Sequence, residues 1–149
     1  MEIRQAGLLF AERLSALKNK RTLLLAIWVI GIIFPMAWLG LKNAQFKAWF
    51  DAIFSPLWMH ILMHALLYAV LALILAWITA RPQQSLPLVR LLSIVLSVAI
   101  LQEAFQAWSA GFLYWPGIIF DWVNDLAGAA AGLWVFSLIR LRKLTANRS

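Results

Sequence analysis

Four long apolar runs constrain the fold of this 149-residue chain more than any other feature. They cover about residues 22–41, 56–80, 88–107 and 119–139. Each is about 20 residues or longer, enough for a helix to cross the ~30 Å hydrocarbon core of a bilayer. Strands of a membrane barrel would be nearer ten residues. The sequence therefore predicts an all-α, polytopic membrane protein with four transmembrane helices in one domain, residues 1–149.

Composition and charge agree with this class. Hydrophobic residues make up 64% of the chain, whereas soluble domains are close to half apolar. Eleven of the 13 Lys and Arg residues fall on one side of the predicted spans, and the exceptions are Lys42 and Lys47. The positive-inside rule then places both termini in the cytoplasm. The net charge of +7 reflects this topology, so the lipid bilayer is the expected partner and nucleic acid is not.

The segments between the spans carry their own predictions. Residues 1–20 alternate apolar and charged positions with a helical period, which indicates an amphipathic helix on the membrane surface. A signal peptide is disfavoured because the following apolar run is too long. Pro35 is expected to kink the first span. Residues 42–54 predict a short interfacial helix, 81–87 a polar turn, and 108–117 an irregular loop rich in Gly and Pro.

Polar side chains recur near the predicted outer end of three spans. The second span carries His60, His64 and Tyr68, spaced four apart and therefore on one helical face. The third carries Glu103 and Gln106, and the fourth carries Asp121, Asn124 and Asp125. Apart from Tyr68, which lies one helical turn deeper than His64, all are within about 12 Å of the outer boundary at 1.5 Å of rise per residue. Intramembrane ionisable groups are costly and mark function, so these eight residues are the predicted ligand pocket.

Two glycines extend the polar face of the fourth span. Gly128 and Gly132 form a GxxxG pattern, which lets helices approach closely, and they share an arc with Asp121 and Asp125. The acids therefore face the bundle interior. A purely structural alternative remains open, in which the acids and histidines satisfy one another and Asp121 completes the helix dipole.

These motifs resemble those of the VanZ-like family. The matching residues are His64 and Tyr68 in an HxxxY pattern, Glu103 and Gln106 in ExxQ, and Asp121, Asp125, Gly128 and Gly132 in DxxxDxxGxxxG. The resemblance implies a small polytopic protein of the bacterial cytoplasmic (inner) membrane. It also implies a link to the cell envelope and to antibiotic resistance against the lipoglycopeptide teicoplanin, with no settled reaction.

The chain departs from that family at three places. His60 and Ile61 stand where the family often has an acid and a lysine, and Asp125 stands where it often has Asn. No Arg lies between Arg90 and Arg140, where the family often has one in the outer loop. Losing cations and gaining an acid and a histidine makes the site more like a metal site and less like a phosphate site.

Two functions are compatible with the sequence. In the first, the pocket binds a lipid-linked envelope molecule or an amphiphilic antibiotic. In the second, the protein is a membrane-embedded hydrolase or transferase with Glu103, Asp125 and His64 as the candidate catalytic residues. A divalent metal, Zn or Mn, would be held by His60, His64, Glu103 and Asp125. Transport is disfavoured because four helices would need a homo-oligomer to form a pore.

Overall fold

A computed structural model of the chain describes residues 19–34, 42–81 and 84–146, apart from the side chains of residues 143 and 144. These ranges are helical and contain no strand, which confirms the all-α prediction. In chain order the helices are α1 (residues 19–33), α2 (Ala44–Phe54), α3 (Leu57–Thr79), α4 (Leu88–Ala110) and α5 (Trp115–Ala146).

Three of these helices are long and apolar enough to cross a membrane: Leu57–Thr79, Leu88–Ala110 and, within α5, Trp115–Arg142. They correspond to the second, third and fourth predicted spans. Residues 22–33 of the first predicted span belong to α1. Phe34 is also described, whereas residues 35–41, with Pro35, lie outside the described residues, as does most of the predicted amphipathic helix. Four spans and the orientation of the termini stay predictions.

The helices expose large apolar side chains, as lipid-facing helices must. Leu66 of α3 is 51% exposed and Val123 of α5 is 60% exposed. The opposite faces form a core in which α3 packs mainly against α5, with α4 alongside. The largest fully buried apolar members of that core are Tyr68, Leu71, Leu91 and Val95.

Helices α3 and α5 run parallel and touch through small residues. A methyl group added at Gly128 would overlap the backbone of Ala65, and one added at Gly132 would overlap that of Ala69. Neither helix carries a side chain that holds the backbones apart at these points. We call Ala65, Ala69, Gly128 and Gly132 the glycine seam. It fixes the register in which α3 and α5 meet.

A hydrogen bond from Trp28 anchors helix α1 on α3. The indole Nε1 of Trp28 donates to the backbone oxygen of Leu67 at 3.1 Å. Ile32, one turn further along α1, is buried in the same core. The tryptophan, one of nine in the chain, therefore joins two helices of the bundle.

The predicted irregular loop at residues 108–117 is wrong over most of its length. Helix α4 continues to Ala110, and Gly111, at φ +74°, ends it with an N–H that donates to Ala107. Glycine adopts this left-handed conformation without strain. Pro116 lies in the first turn of α5, where its missing N–H costs nothing. Only residues 111–114 form the connection.

The other two predicted segments are the interfacial helix at residues 42–54 and the polar turn at residues 81–87. Residues 44–54 are helical as expected, and the Asn43 side chain caps α2 by accepting from the N–H groups of Gln45 and Phe46. Residues 84–87 are irregular, whereas 82 and 83 lie outside the described part. Arg140 of α5 donates to the backbone oxygens of Arg81 and Gln84, both at 2.7 Å, and so ties this turn to the bundle.

Candidate functional site

Two histidine–aspartate pairs connect α3 and α5. Nε2 of His60 lies 2.8 Å from Oδ1 of Asp121, and Nδ1 of His64 lies 2.9 Å from Oδ1 of Asp125. The helices are parallel, so one turn along each brings the next pair into the same relation. We call these four residues the polar layer. It directly precedes the glycine seam, because Ala65 follows His64 and Gly128 lies one turn after Asp125.

Burial increases along the polar layer. The side chains of His60 and Asp121 are 39% and 11% exposed, whereas those of His64 and Asp125 are 8% and 0% exposed. A buried carboxylate needs partners, since an unpaired one carries a large desolvation cost. The His64–Asp125 pair is therefore enclosed by the bundle. The His60–Asp121 pair is the part of the layer that a ligand or ion reaches first.

Two buried carboxylate oxygens lack hydrogen-bond partners among the described residues. They are Oδ2 of Asp125 and Oε1 of Glu103. Leaving such an acceptor unpaired typically costs about 1–3 kcal/mol, so native proteins rarely do it without a reason. Both atoms are acceptors that a bound donor or cation would satisfy.

An open cleft of about 210 Å³ lies where α4 ends and α5 begins. Its polar lining consists of Glu103, Gln106 and Asp121. Its apolar lining includes Phe112, Tyr114 and Ile118. Gly117 also borders it, and a methyl group there would come within 2.9 Å of the Tyr114 ring. The cleft thus joins a polar wall to an aromatic rim.

Tyr68 has a partner that sequence reasoning missed. Its hydroxyl donates to Oε1 of Gln102 at 2.6 Å, and both residues are buried. Helical spacing is the sequence signal: Gln102 lies three residues after Ala99 and four after Val98, on the face that the structure buries.

The structure divides the eight predicted pocket residues rather than joining them in one cavity. Glu103, Gln106 and Asp121 line the cleft. His60, His64 and Asp125 complete the polar layer with Asp121, and Tyr68 bonds to Gln102. Asn124 is half-buried, and its Nδ2 has no partner in the described part of the chain. Asp121 is the residue common to the cleft and the layer.

The candidate metal ligands differ from those predicted. One ring nitrogen each of His60 and His64 and one oxygen of Asp121 lie within 4.8 Å of one another. The predicted set contained Glu103 and Asp125 instead of Asp121. Asp125 faces Nδ1 of His64, and Glu103 belongs to α4, whereas Asp121 lies directly opposite His60. The register of α3 against α5 therefore places Asp121, and not Asp125, opposite His60.

The chemistry available here is hydrogen bonding, proton transfer and metal ligation. The chain has no cysteine, and the Ser109 hydroxyl donates to the backbone oxygen of Gln106 at 2.9 Å. A histidine held by a carboxylate has the arrangement of a general base.

Comparison of the chain with protein-family models, with curated proteins and with solved structures finds no match. The resemblance to the VanZ-like family therefore rests on the sequence motifs, and function must be argued from the site.

Proposed function

We propose that this protein binds the polar head of an envelope amphiphile in the outer half of a bacterial cytoplasmic membrane. The ligand class is a lipid-linked precursor or a lipoglycopeptide of the teicoplanin type. The observation that carries the proposal is the cleft, in which Glu103, Gln106 and Asp121 stand beside an aromatic rim where the apolar helix α4 ends and α5 begins. Its VanZ-like motifs support the same role.

The proposed orientation follows from charge. Arg21 stacks on the Trp77 ring at 4.3 Å, and Arg140 binds the turn at Arg81. These basic residues gather at the end of the bundle away from the polar layer. In a basic-inside membrane that end faces the cytoplasm, so both termini are cytoplasmic and the cleft opens toward the envelope.

The lining of the cleft favours ligands that donate hydrogen bonds. Two carboxylates and an amide line it, and no Lys or Arg belongs to its described lining. Hydroxyl and amino groups of a sugar or aminosugar head match these acceptors. The cleft is smaller than the roughly 300–1,000 Å³ typical of sites that enclose a drug-sized ligand. It therefore holds the head alone, while an acyl or isoprenoid chain lies along Phe112 and Ile118.

A membrane-embedded hydrolase or transferase is the second candidate, and the His64–Asp125 pair favours it. Asp125 would orient the imidazole, which would act as general base, and Glu103 would supply a second proton-transfer group. Turnover of a labelled lipid-linked saccharide by the purified protein distinguishes this function from binding alone.

Binding in nanodiscs tests the proposal. Fluorescent teicoplanin and a labelled lipid-linked saccharide are titrated onto the wild type, Glu103→Gln and Asp121→Asn. We expect at least one probe to bind and both variants to weaken it about tenfold or more, since a buried charge-assisted hydrogen bond is lost. Asp51→Asn is the matched control, because Asp51 is exposed on α2 and paired with Lys47. Failure of both probes to bind wild type, or unchanged affinity in Glu103→Gln, contradicts the proposal.

A further inference from the structure

We propose that His60, His64 and Asp121 bind one divalent metal ion, with zinc preferred. Two histidines one turn apart on a helix, with a carboxylate opposite, form a His₂–carboxylate set that suits this ion. Their rings lie 4.5 Å apart between centroids and are tilted by 39° to each other. The proposal goes beyond ligand binding in the cleft and holds whether or not an amphiphile binds there.

The ligand atoms of the three side chains can reach one zinc ion after small movements of those side chains. Ligand atoms in a tetrahedral zinc site lie about 3.3 Å apart, given bonds of ~2.0–2.2 Å. Nε2 of His60 and Oδ1 of Asp121, now 2.8 Å apart in a hydrogen bond, need to separate slightly. The widest separation in the group, within 4.8 Å, needs to close by at most about 1.5 Å. Side-chain rotation supplies such movements, because His60 is partly exposed.

Asp125 has a separate role, which is to orient His64. Nδ1 of His64 lies 2.9 Å from Oδ1 of Asp125, and in the tautomer that carries the proton on Nδ1 the carboxylate accepts this hydrogen bond and leaves Nε2 as the lone-pair nitrogen. Metal-bound histidines commonly donate their other ring N–H to a carboxylate in this way. The full burial of Asp125 fixes that orientation.

Unpaired acceptors beside the group point independently to a cation. Oδ2 of Asp125 and Oε1 of Glu103 are buried without described partners, in side chains that are 0% and 6% exposed. Glu103 and Asp121 both line the cleft. A divalent ion offsets this local negative charge. With three protein ligands it also keeps a coordination position for water or for a molecule in the cleft.

Metal titration tests the proposal directly. The protein is purified in detergent without a histidine tag, stripped with a chelator, and titrated with ZnCl₂ or MnCl₂ by calorimetry, with bound metal counted by mass spectrometry. The chain contains only two histidines, so His60→Ala and His64→Ala remove the imidazoles one at a time. We expect one zinc per chain in the wild type and an affinity lowered at least about tenfold by either substitution or by Asp121→Asn. Zinc should bind more tightly than manganese.

Two further variants distinguish a loss of metal binding from a loss of folding. Asp125→Asn should lower zinc affinity about 10–100-fold while the protein stays folded, because it disturbs only the orientation of His64. Asp51→Asn should change nothing. His60→Ala is the decisive ligand variant, since its partly exposed position makes unfolding a poor explanation for lost metal. Absence of zinc from the wild type, or equal affinity in His60→Ala and the wild type, overturns the proposal. Amphiphile binding measured in chelator distinguishes this failure from a failure of the proposed function.

Discussion

The polar layer and the glycine seam are neighbouring parts of one helix contact, yet they are built in opposite ways. At the seam, α3 and α5 meet through backbone alone, because Gly128 and Gly132 carry no side chain. In the polar layer, the same helices meet through ionisable side chains, and Oδ2 of Asp125 has no partner among the described residues. Close packing stabilises a membrane bundle, whereas buried ionisable groups burden it. The seam therefore accounts for the fold, and the layer is where function is expected.

The seam is where substitution should cost most. Gly128→Ala places a methyl group inside the backbone of Ala65, so α3 and α5 must separate. We expect a loss of about 3 kcal/mol or more in unfolding free energy, at the upper end for overpacking. Gly31→Ala is the matched control, because a methyl group at Gly31 meets none of the described residues within 4 Å. Denaturation in detergent, followed by circular dichroism, compares the two. Equal stability of both variants would remove the seam from the account.

The two pairs of the polar layer should respond unequally. Asp125→Ala leaves the buried His64 without its carboxylate, and we expect a loss of about 2 kcal/mol. Asp121→Ala affects a partly exposed pair and should cost under about 1 kcal/mol. The same unfolding measurement, extended to double substitutions with each histidine, gives the coupling energy of each pair. A larger coupling in the His60–Asp121 pair would contradict the burial gradient.

Substitution of Tyr68, one helical turn from His64, should have a smaller effect on the unfolding free energy. Tyr68→Phe removes the hydroxyl that donates to Gln102 and leaves a buried amide oxygen unpaired. The expected loss is about 1 kcal/mol. The chain's other tyrosine, Tyr114, is 62% exposed, and Tyr114→Phe should leave the unfolding free energy unchanged. If both substitutions have the same effect, the Tyr68–Gln102 bond does not stabilise the bundle.

Loss of the Trp28 hydrogen bond, which joins α1 to α3, should lower the unfolding free energy least. Trp28→Phe keeps most of the packed ring but removes the donor to Leu67, and we expect a loss of about 0.5–1 kcal/mol. Trp134→Phe, at a side chain that is 66% exposed, is the control. Fluorescence-monitored unfolding of both variants tests whether α1 is joined to α3 as described. A greater loss in Trp134→Phe would contradict that junction.

The length of an apolar run predicted the bounds of a helix well where a residue such as proline also ends the helix. Residues 56–80 were expected as a span, and α3 covers Leu57–Thr79, bounded by Pro56 on one side. Helix α5 was predicted too short because an apolar run marks the part that suits a membrane and not the end of the helix. Arg140 and Arg142 are good helix formers, so α5 continues through them to Ala146.

Apolar runs and helical spacing placed each site residue on the correct helix. They could not predict which residues of two helices pair with each other. That His60 meets Asp121, and His64 meets Asp125, depends on the parallel register of α3 against α5. A sequence gives the face of each helix and not its offset along a neighbour. For the same reason the sequence could not show that Asp121 forms a close group with both histidines.

Glu103 provides the most direct test of the division between structure and function. Its Oε1 is buried without a described partner, so Glu103→Gln removes a buried carboxyl group and no described hydrogen bond. We would measure unfolding free energy and amphiphile affinity on the same purified variant in nanodiscs. The account predicts unchanged or higher stability together with affinity lowered about tenfold or more, as expected when a functional group burdens the fold. Lower stability with intact binding would contradict it and make Glu103 a structural residue.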